Sequence, residues 1–150
     1  MTLADLRRKP VVSMSDGAKL GDVEDLVVDV AQWRVPELYI VSKGSHGILA
    51  LNRVKNIGPD AVTVESAEAV DWNAKPSGSL FGSIKGLQVV DGGGTVLGHP
   101  VDLHYQNGEV ESLEVNKGGV LGLGVQVTIV TPSQIRGVGD RLITVELSAE

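Results

Sequence analysis

The segment KLGDVEDLVVD, residues 19–29, decides the fold because a second version of it occurs later in the chain. It places Asp22, Glu24, Asp25 and Asp29 within eight positions. Carboxylates this close together are suited to binding a divalent metal or to acid–base chemistry. They are equally suited to the solvated face of a strand. The second version of the segment bears directly on this choice.

The segment VLGHPVDLHYQ, residues 96–106, repeats the pattern 77 positions later. The matched residues are Leu20, Gly21, Asp25 and Leu26 in the first copy and Leu97, Gly98, Asp102 and Leu103 in the second. Two further matches follow in the same order: ELYIVSKG with ESLEVNKGG, and Gly58 with Gly139. A colinear set of matches predicts two tandem homologous domains.

Residues 73–79, NAKPSGS, have the composition of a linker, with Pro, Gly and Ser and no apolar anchor. They divide the chain almost in half. We therefore predict a first domain at 1–72 and a second at 80–150.

The apolar residues alternate with polar ones through most of the chain, as in ELYIVS, AVTVES and RLITVEL. This period of two is typical of half-buried strands. Turn signals separate these runs, and Asn107-Gly108 is the clearest hairpin because both residues tolerate a positive φ. LADLRRK, LNRVKN and PSQIRG each indicate no more than a short helical turn. We predict an all-β fold with little helix.

The composition narrows the function and location. The chain has no cysteine, so disulfides and thiolate metal sites are excluded. Its N-terminus lacks the apolar core of a signal peptide, and no apolar run is long enough to span a membrane. The net charge of −6 argues against direct nucleic-acid binding. We expect a cytoplasmic protein with no membrane span.

Each half of the chain resembles the PRC-barrel family. In the first half the resemblance rests on GAKLGDVEDLVVD, VPELYIVSKG and LNRVKNIGPDAVTVE. In the second it rests on GTVLGHPVDLHY, GEVESLEVNKGGVLGLGVQVTIVTPSQI and GDRLITVE. The resemblance implies two tandem, small, strongly bent β-barrels that act as interaction or assembly modules without a catalytic residue set. The family includes the cytoplasmic domain of the photosynthetic reaction-centre H subunit and the C-terminal domain of the ribosome maturation factor RimM.

The comparison of the two copies bears on the opening acids. Asp22 corresponds to His99 and Glu24 to Val101, whereas only Asp25 is retained, as Asp102. This pattern favours a structural role for Asp25 and Asp102, which we expect to accept backbone N–H groups at a bend. Metal binding in the first copy stays an alternative.

The matched glycines are expected to have structural roles. Gly21 and Gly98 are suited to a positive φ or a β-bulge that curls the strand. Gly58 and Gly139 precede the last strand of each copy and are suited to its turn.

Two other features are candidate contact surfaces. The loop GGVLGLG, residues 118–124, lacks the Lys and Ser/Thr of a phosphate-binding loop but contains Val120, Leu121 and Leu123. Trp33 lies in a longer hairpin than its counterpart and is suited to a protein interface or to packing over a barrel mouth. Asp22 and Glu24, which have no match in the second copy, are candidates for a contact of the first barrel alone.

We therefore predict a non-enzymatic protein-interaction or scaffold module that binds an unidentified protein partner or a second copy of itself. No cofactor and no metal are expected. The alternative is a ribosome or RNA maturation accessory factor, similar to RimM, acting through a ribosomal protein. An enzyme or small-ligand binder would require a pocket with convergent polar groups, which no motif indicates.

Overall fold

The computed structural model describes residues 1–118 and 124–147. The chain divides into two compact units: an N-terminal unit, Leu3–Phe81, and a C-terminal unit, Met1–Thr2 with Gly82–Glu150. Most described residues lie in strands, so the all-β prediction is confirmed. The α-helices, α1 (Leu3–Leu6) and α2 (Phe81–Ile84), have four residues each. No helix in the described part of the chain is long and apolar enough to cross a bilayer.

The N-terminal unit contains eight strands among the residues described. They are β1 (Pro10–Ser13), β2 (Lys19–Asp29), β3 (Arg34–Ser42), β4 (Ser45–Ala50), β5 (Val54–Ile57), β6 (Val62–Val64), β7 (Val70–Asp71) and β8 (Ser79–Leu80). Their order is β5-β6-β1-β2-β3-β4-β7, and β8 pairs with the second half of β2. Every pair is antiparallel except β1–β6, which is parallel. Two 3₁₀ turns, Leu51–Arg53 and Ala67–Ala69, precede β5 and β7.

The C-terminal unit contains β9 (Gln88–Asp91), β10 (Val96–Gln106), β11 (Glu109–Lys117), β12 (Gln126–Val130), β13 (Ile135–Val138) and β14 (Leu142–Val145). Their order is β13-β14-β9-β10-β11-β12, with a parallel pair at β9–β14. Both units therefore follow one pairing scheme. In neither unit do hydrogen bonds between the described strands close the sheet into a complete barrel.

In each unit, a short segment from the other half of the sequence pairs with the long bulged strand. In the C-terminal unit, Thr2 forms an antiparallel bridge with His104 of β10. In the N-terminal unit, Leu80 of β8 pairs with Val27 of β2, and 104 and 27 differ by the repeat offset of 77. Residues 73–78, between β7 and β8, are anchored to the N-terminal unit: the Ser77 N–H donates to Glu37 Oε1 at 3.0 Å.

Tight hairpins join the long strands where the sequence supplies residues that tolerate a positive φ. Asn107 and Gly108 have φ angles of 53° and 80°, which confirms the hairpin predicted between β10 and β11. Lys43 and Gly44, with φ of 51° and 82°, make a similar tight turn between β3 and β4.

Bulges bend the long strands β2 and β10 at matching positions. Leu20 is the extra residue of β2 opposite β1, since Val11 pairs with Gly21 and Val12 with Lys19. Leu97 is the extra residue of β10 opposite β9. A second bulge, opposite the other neighbouring strand, leaves Glu24 and Val101 unpaired. Because a bulge increases local twist and bends its strand, these positions explain the curvature of each sheet.

The core of each unit consists of the inward side chains of the paired strands. In the N-terminal unit the fully buried residues include Leu6, Val11, Leu26, Leu38, Ile40, Leu49, Val62 and Val64. In the C-terminal unit they include Val89, Leu103, Leu113, Val115, Val130, Ile143 and Val145. Burial of each such side chain contributes roughly 1.5–3 kcal/mol relative to exposure.

Candidate functional site

Asp25 and Asp102 make the same contact in the two units. Asp25 Oδ1 accepts the N–H of Leu26 at 2.8 Å, and Asp102 Oδ1 accepts the N–H of Leu103 at 2.8 Å. Both aspartates directly follow the bulge that interrupts the ladder of β2 or β10. A buried backbone N–H near such an interruption needs another acceptor, and the carboxylate supplies it.

Gly21 and Gly98 allow the neighbouring strand to approach closely. A Cβ at Gly21 would lie 2.6 Å from the Val41 carbonyl oxygen, and one at Gly98 would overlap the Asn116 carbonyl. Gly98 also has a φ of 121°, which few other residues adopt. Any larger residue at either position would push β3 or β11 away.

Gly58 and Gly139 lie in equivalent turns, between β5 and β6 and between β13 and β14. The Gly58 N–H donates to the Ala61 carbonyl at 2.9 Å, and the Gly139 N–H donates to the Leu142 carbonyl at 2.8 Å. A Cβ would meet only ordinary contacts, at 3.5 Å and 3.7 Å. The turn therefore uses the backbone of these residues and does not require the absence of a side chain.

The other opening acids have separate partners. Asp22 pairs with Lys19 at 3.1 Å, and Asp29 Oδ1 accepts the N–H of Ala31 at 3.0 Å in the turn after β2. Glu24 Oε2 accepts a hydrogen bond from His46 Nε2 at 2.8 Å. Within residues 1–118 and 124–147, no group of three or more His, Asp or Glu residues is arranged to hold a metal ion.

The Glu24–His46 pair belongs to a surface cluster that sequence reasoning missed. The His46 ring stacks on Tyr39 with centroids 4.7 Å apart and planes 8° from parallel. Glu24 and Asp22 also line a cleft of about 560 Å³ with Arg7 and Arg8. These residues come from separate strands and the N-terminal turn, so no local motif indicates the cluster.

Trp33 lies in the turn between β2 and β3, with a φ of 53° and only 8% of its surface exposed. An indole so deeply buried offers little area to a partner. Its position favours the packing role over the role of a contact residue.

Exposed apolar side chains of β12 and of Val125, the residue directly before it, form a row beside the loop that was expected to make contacts. Val125, Val127 and Ile129 are 60%, 57% and 52% exposed, and they alternate along one face. Val120, Leu121 and Leu123 of that loop lie outside the residues that the structure describes. Strict alternation of apolar residues predicts burial, so the sequence alone does not indicate this exposed row.

A second depression lies in the N-terminal unit beside Trp72. It is a groove of about 580 Å³ whose lining includes Trp72, Arg53 and the three acidic residues Glu37, Glu68 and Asp71. Trp72 is 37% exposed, which makes it the more accessible of the two tryptophans.

The first half of the chain matches a known protein family. Residues 1–70 match the family model of the PRC-barrel domain. The match covers the bulged strand β2 and both the Asp25 and Gly58 positions.

The chain is also similar to a solved structure of RimM, a 16S ribosomal RNA processing protein from Pseudomonas aeruginosa. The identity is 16%, the alignment covers 83% of this chain and 95% of that chain, and the TM-score is 0.36. The search of curated proteins found no match.

Proposed function

We propose that the chain is a non-enzymatic, cytoplasmic protein-interaction module made of two tandem PRC-type barrels. The family match of residues 1–70 and the common pairing scheme of the two units support this architecture. The observation that carries the interaction role is the exposed apolar row at β12, formed by Val127 and Ile129 of the strand and by Val125 directly before it.

Two equivalent positions in the two units differ in exposure, which indicates that the row at β12 lacks a cover that the N-terminal unit has. Ile48 of β4 lies opposite Tyr39, and Ile129 of β12 lies opposite Glu114, the match of Tyr39 at an offset of 75. Ile48 is 5% exposed, whereas Ile129 is 52% exposed. In the N-terminal unit, β7 covers this place, because Asp71 pairs directly with Ile48.

No described strand pairs with the outer edge of β12. An edge strand with free N–H and C=O groups and exposed apolar side chains is a template for pairing with another chain. The segment from Gly124 to Val130, GVQVTIV, carries no charge. Two copies could therefore pair antiparallel about a two-fold axis without placing like charges opposite each other. A second copy is accordingly the simplest partner, and a different protein with an extended apolar segment is the other.

Site-specific photocrosslinking tests the proposal. A photoreactive side chain is placed at position 127 in the native host, and a matched chain carries it at position 142, where the exposed Leu142 lies on β14. We expect discrete adducts from position 127 and none of the same species from position 142. Adducts identical at both positions, or none at either, would refute the proposed surface.

The protein found in the crosslinked adduct identifies the partner. A crosslink between two copies indicates a homodimer, and sedimentation should then show a dimer that Val127→Lys converts to a monomer while Leu142→Lys does not. A crosslink to a ribosomal protein would instead establish the ribosome-maturation alternative.

A further inference from the structure

We infer that the groove beside Trp72 binds an extended segment of a partner protein that carries lysine or arginine. The groove lies within the N-terminal unit, between β4, β7 and the segment that follows β7. It shares no residue with the β12 row, so this inference does not rest on the proposed function.

The charge of the groove is the first argument. Three carboxylates, those of Glu37, Glu68 and Asp71, line it together with one cation, Arg53. Among the residues that the structure describes, none of these four side chains forms an ion pair. With three carboxylates and one guanidinium, the lining of the groove has a net negative charge.

Two of these carboxylates are held in place while each keeps an oxygen available. Glu37 Oε1 accepts the N–H of Ser77 at 3.0 Å, and Asp71 Oδ1 accepts the N–H of Asn73 at 2.9 Å. The second oxygen of each forms no hydrogen bond or ion pair within the described part of the molecule. Oriented acceptors lose less conformational entropy when they bind a cation.

The exposed indole is the second argument, and it is independent of the charges. Trp72 packs against Gly47 on one side, and 37% of its surface stays exposed. A cation held near the face of an indole gains about 0.5–1 kcal/mol at an exposed site. An ammonium or guanidinium group could contact the indole and a carboxylate of this groove at the same time.

The chemistry of the occupant follows from these features. Ile48 and Val70 in the floor are already buried, so apolar contact contributes little affinity. The net charge of −6 attracts basic chains and repels phosphate-bearing ligands. A basic peptide segment is therefore the ligand that the groove suits.

Titration of the full chain with a synthetic peptide of alternating lysine, arginine and glycine tests the inference. The chain has two tryptophans, so the NMR spectrum contains two indole N–H signals. We expect the Trp72 signal to shift with added peptide, the buried Trp33 signal to stay in place, and salt to weaken the effect. A peptide of the same length with glutamate in place of the basic residues should shift neither.

Isosteric variants separate the groove from the rest of the surface. Glu68→Gln combined with Asp71→Asn should weaken binding by about fivefold or more, since each removes one exposed charge contact. Glu65→Gln is the matched control, because Glu65 is exposed, pairs with Lys55 and lies outside the groove. The inference is overturned if the basic peptide leaves Trp72 unchanged, shifts Trp33 equally, or binds the double variant as tightly as the wild type.

Discussion

The side chain of Trp72 lies directly against the backbone of Gly47: a Cβ built on Gly47 would be 2.8 Å from Trp72 Cε3. The same Cβ would lie 2.8 Å from Val70 Cγ1. Gly47 therefore allows β7 and the indole to close over β4. In β12 the equivalent residue is Thr128, because Thr128 lies opposite Val115 as Gly47 lies opposite Ile40.

We predict that Gly47→Ala displaces Trp72 and lowers the free energy of unfolding by about 1–3 kcal/mol, the usual cost of overpacking. Denaturant unfolding measures the loss. Tryptophan emission in a Trp33→Phe background reports the greater exposure of the indole. Gly118→Ala is the matched control, since a Cβ there meets no atom of the described residues within 4 Å. Equal stability and emission for Gly47→Ala and the wild type would contradict the prediction.

Alanine at Gly98 should lower the stability of the protein, whereas alanine at Gly139 should leave it nearly unchanged. Gly98→Ala places a Cβ on the Asn116 carbonyl and forces a side chain into a φ of 121°. We expect a loss of about 2–4 kcal/mol, from backbone strain and overpacking together. Gly139→Ala should stay within about 0.5 kcal/mol of the wild type, because its Cβ meets only an ordinary contact.

Thermal and denaturant unfolding of both variants check this contrast. If Gly98→Ala proved as stable as Gly139→Ala, the close approach of β10 and β11 at Gly98 would be wrong.

The period of two in the sequence predicted the strands but not the faces of their residues. On an uninterrupted strand, Asp25 and Asp29 would share one face, with Asp22 and Glu24 on the other. The register shifts at Glu24 and again between Val27 and Asp29, so this simple alternation fails along β2: Asp25 is buried, whereas Asp29 ends the strand and accepts N–H groups of the next turn. One inserted residue moves the residues that follow it to the opposite faces of the sheet, up to the next bulge. No residue type predicts where such an insertion occurs.

The contacts between distant residues could not be predicted either. Glu24 and His46 lie on different strands, and their 2.8 Å contact depends on the register of the sheet and on the bulge. Ile129 is exposed because none of the described strands pairs with the outer edge of β12. A local sequence pattern does not indicate which strands become neighbours. The repeat offset, in contrast, can be read from a single sequence, and it indicated that Asp25 and Asp102 have the same structural role.

We predict that Asp25→Ala destabilises the protein by about 1–3 kcal/mol, because the buried Leu26 N–H loses its acceptor. Asp25→Asn should lose less, since an amide oxygen can still accept that N–H. Asp102→Ala should cost less than Asp25→Ala, because Asp102 is only partly buried. Chemical denaturation of the four chains gives the order, and a loss for Asp25→Asn as large as that for Asp25→Ala would refute the acceptor role.

Tyr105 of β10 makes the stability of the protein sensitive to alkaline pH. Burial raises the pKa of Tyr105 to about 12, from an ordinary value of 10.0. The folded protein therefore keeps the neutral phenol at pH values where the unfolded chain has already lost the proton. The stability that this group contributes is complete below pH 10 and is lost as the pH rises from 10 to about 12.

We expect the free energy of unfolding to fall more steeply over this window in the wild type than in Tyr105→Phe, which has no proton to lose. The Tyr39→Phe variant is the matched control and should keep the steep fall. In that background Tyr105 is the last tyrosine, so its phenolate absorbance gives the pKa directly. A phenolate that forms near pH 10, or equal slopes for Tyr105→Phe and the wild type, would show that the phenol of Tyr105 is not buried in the folded protein.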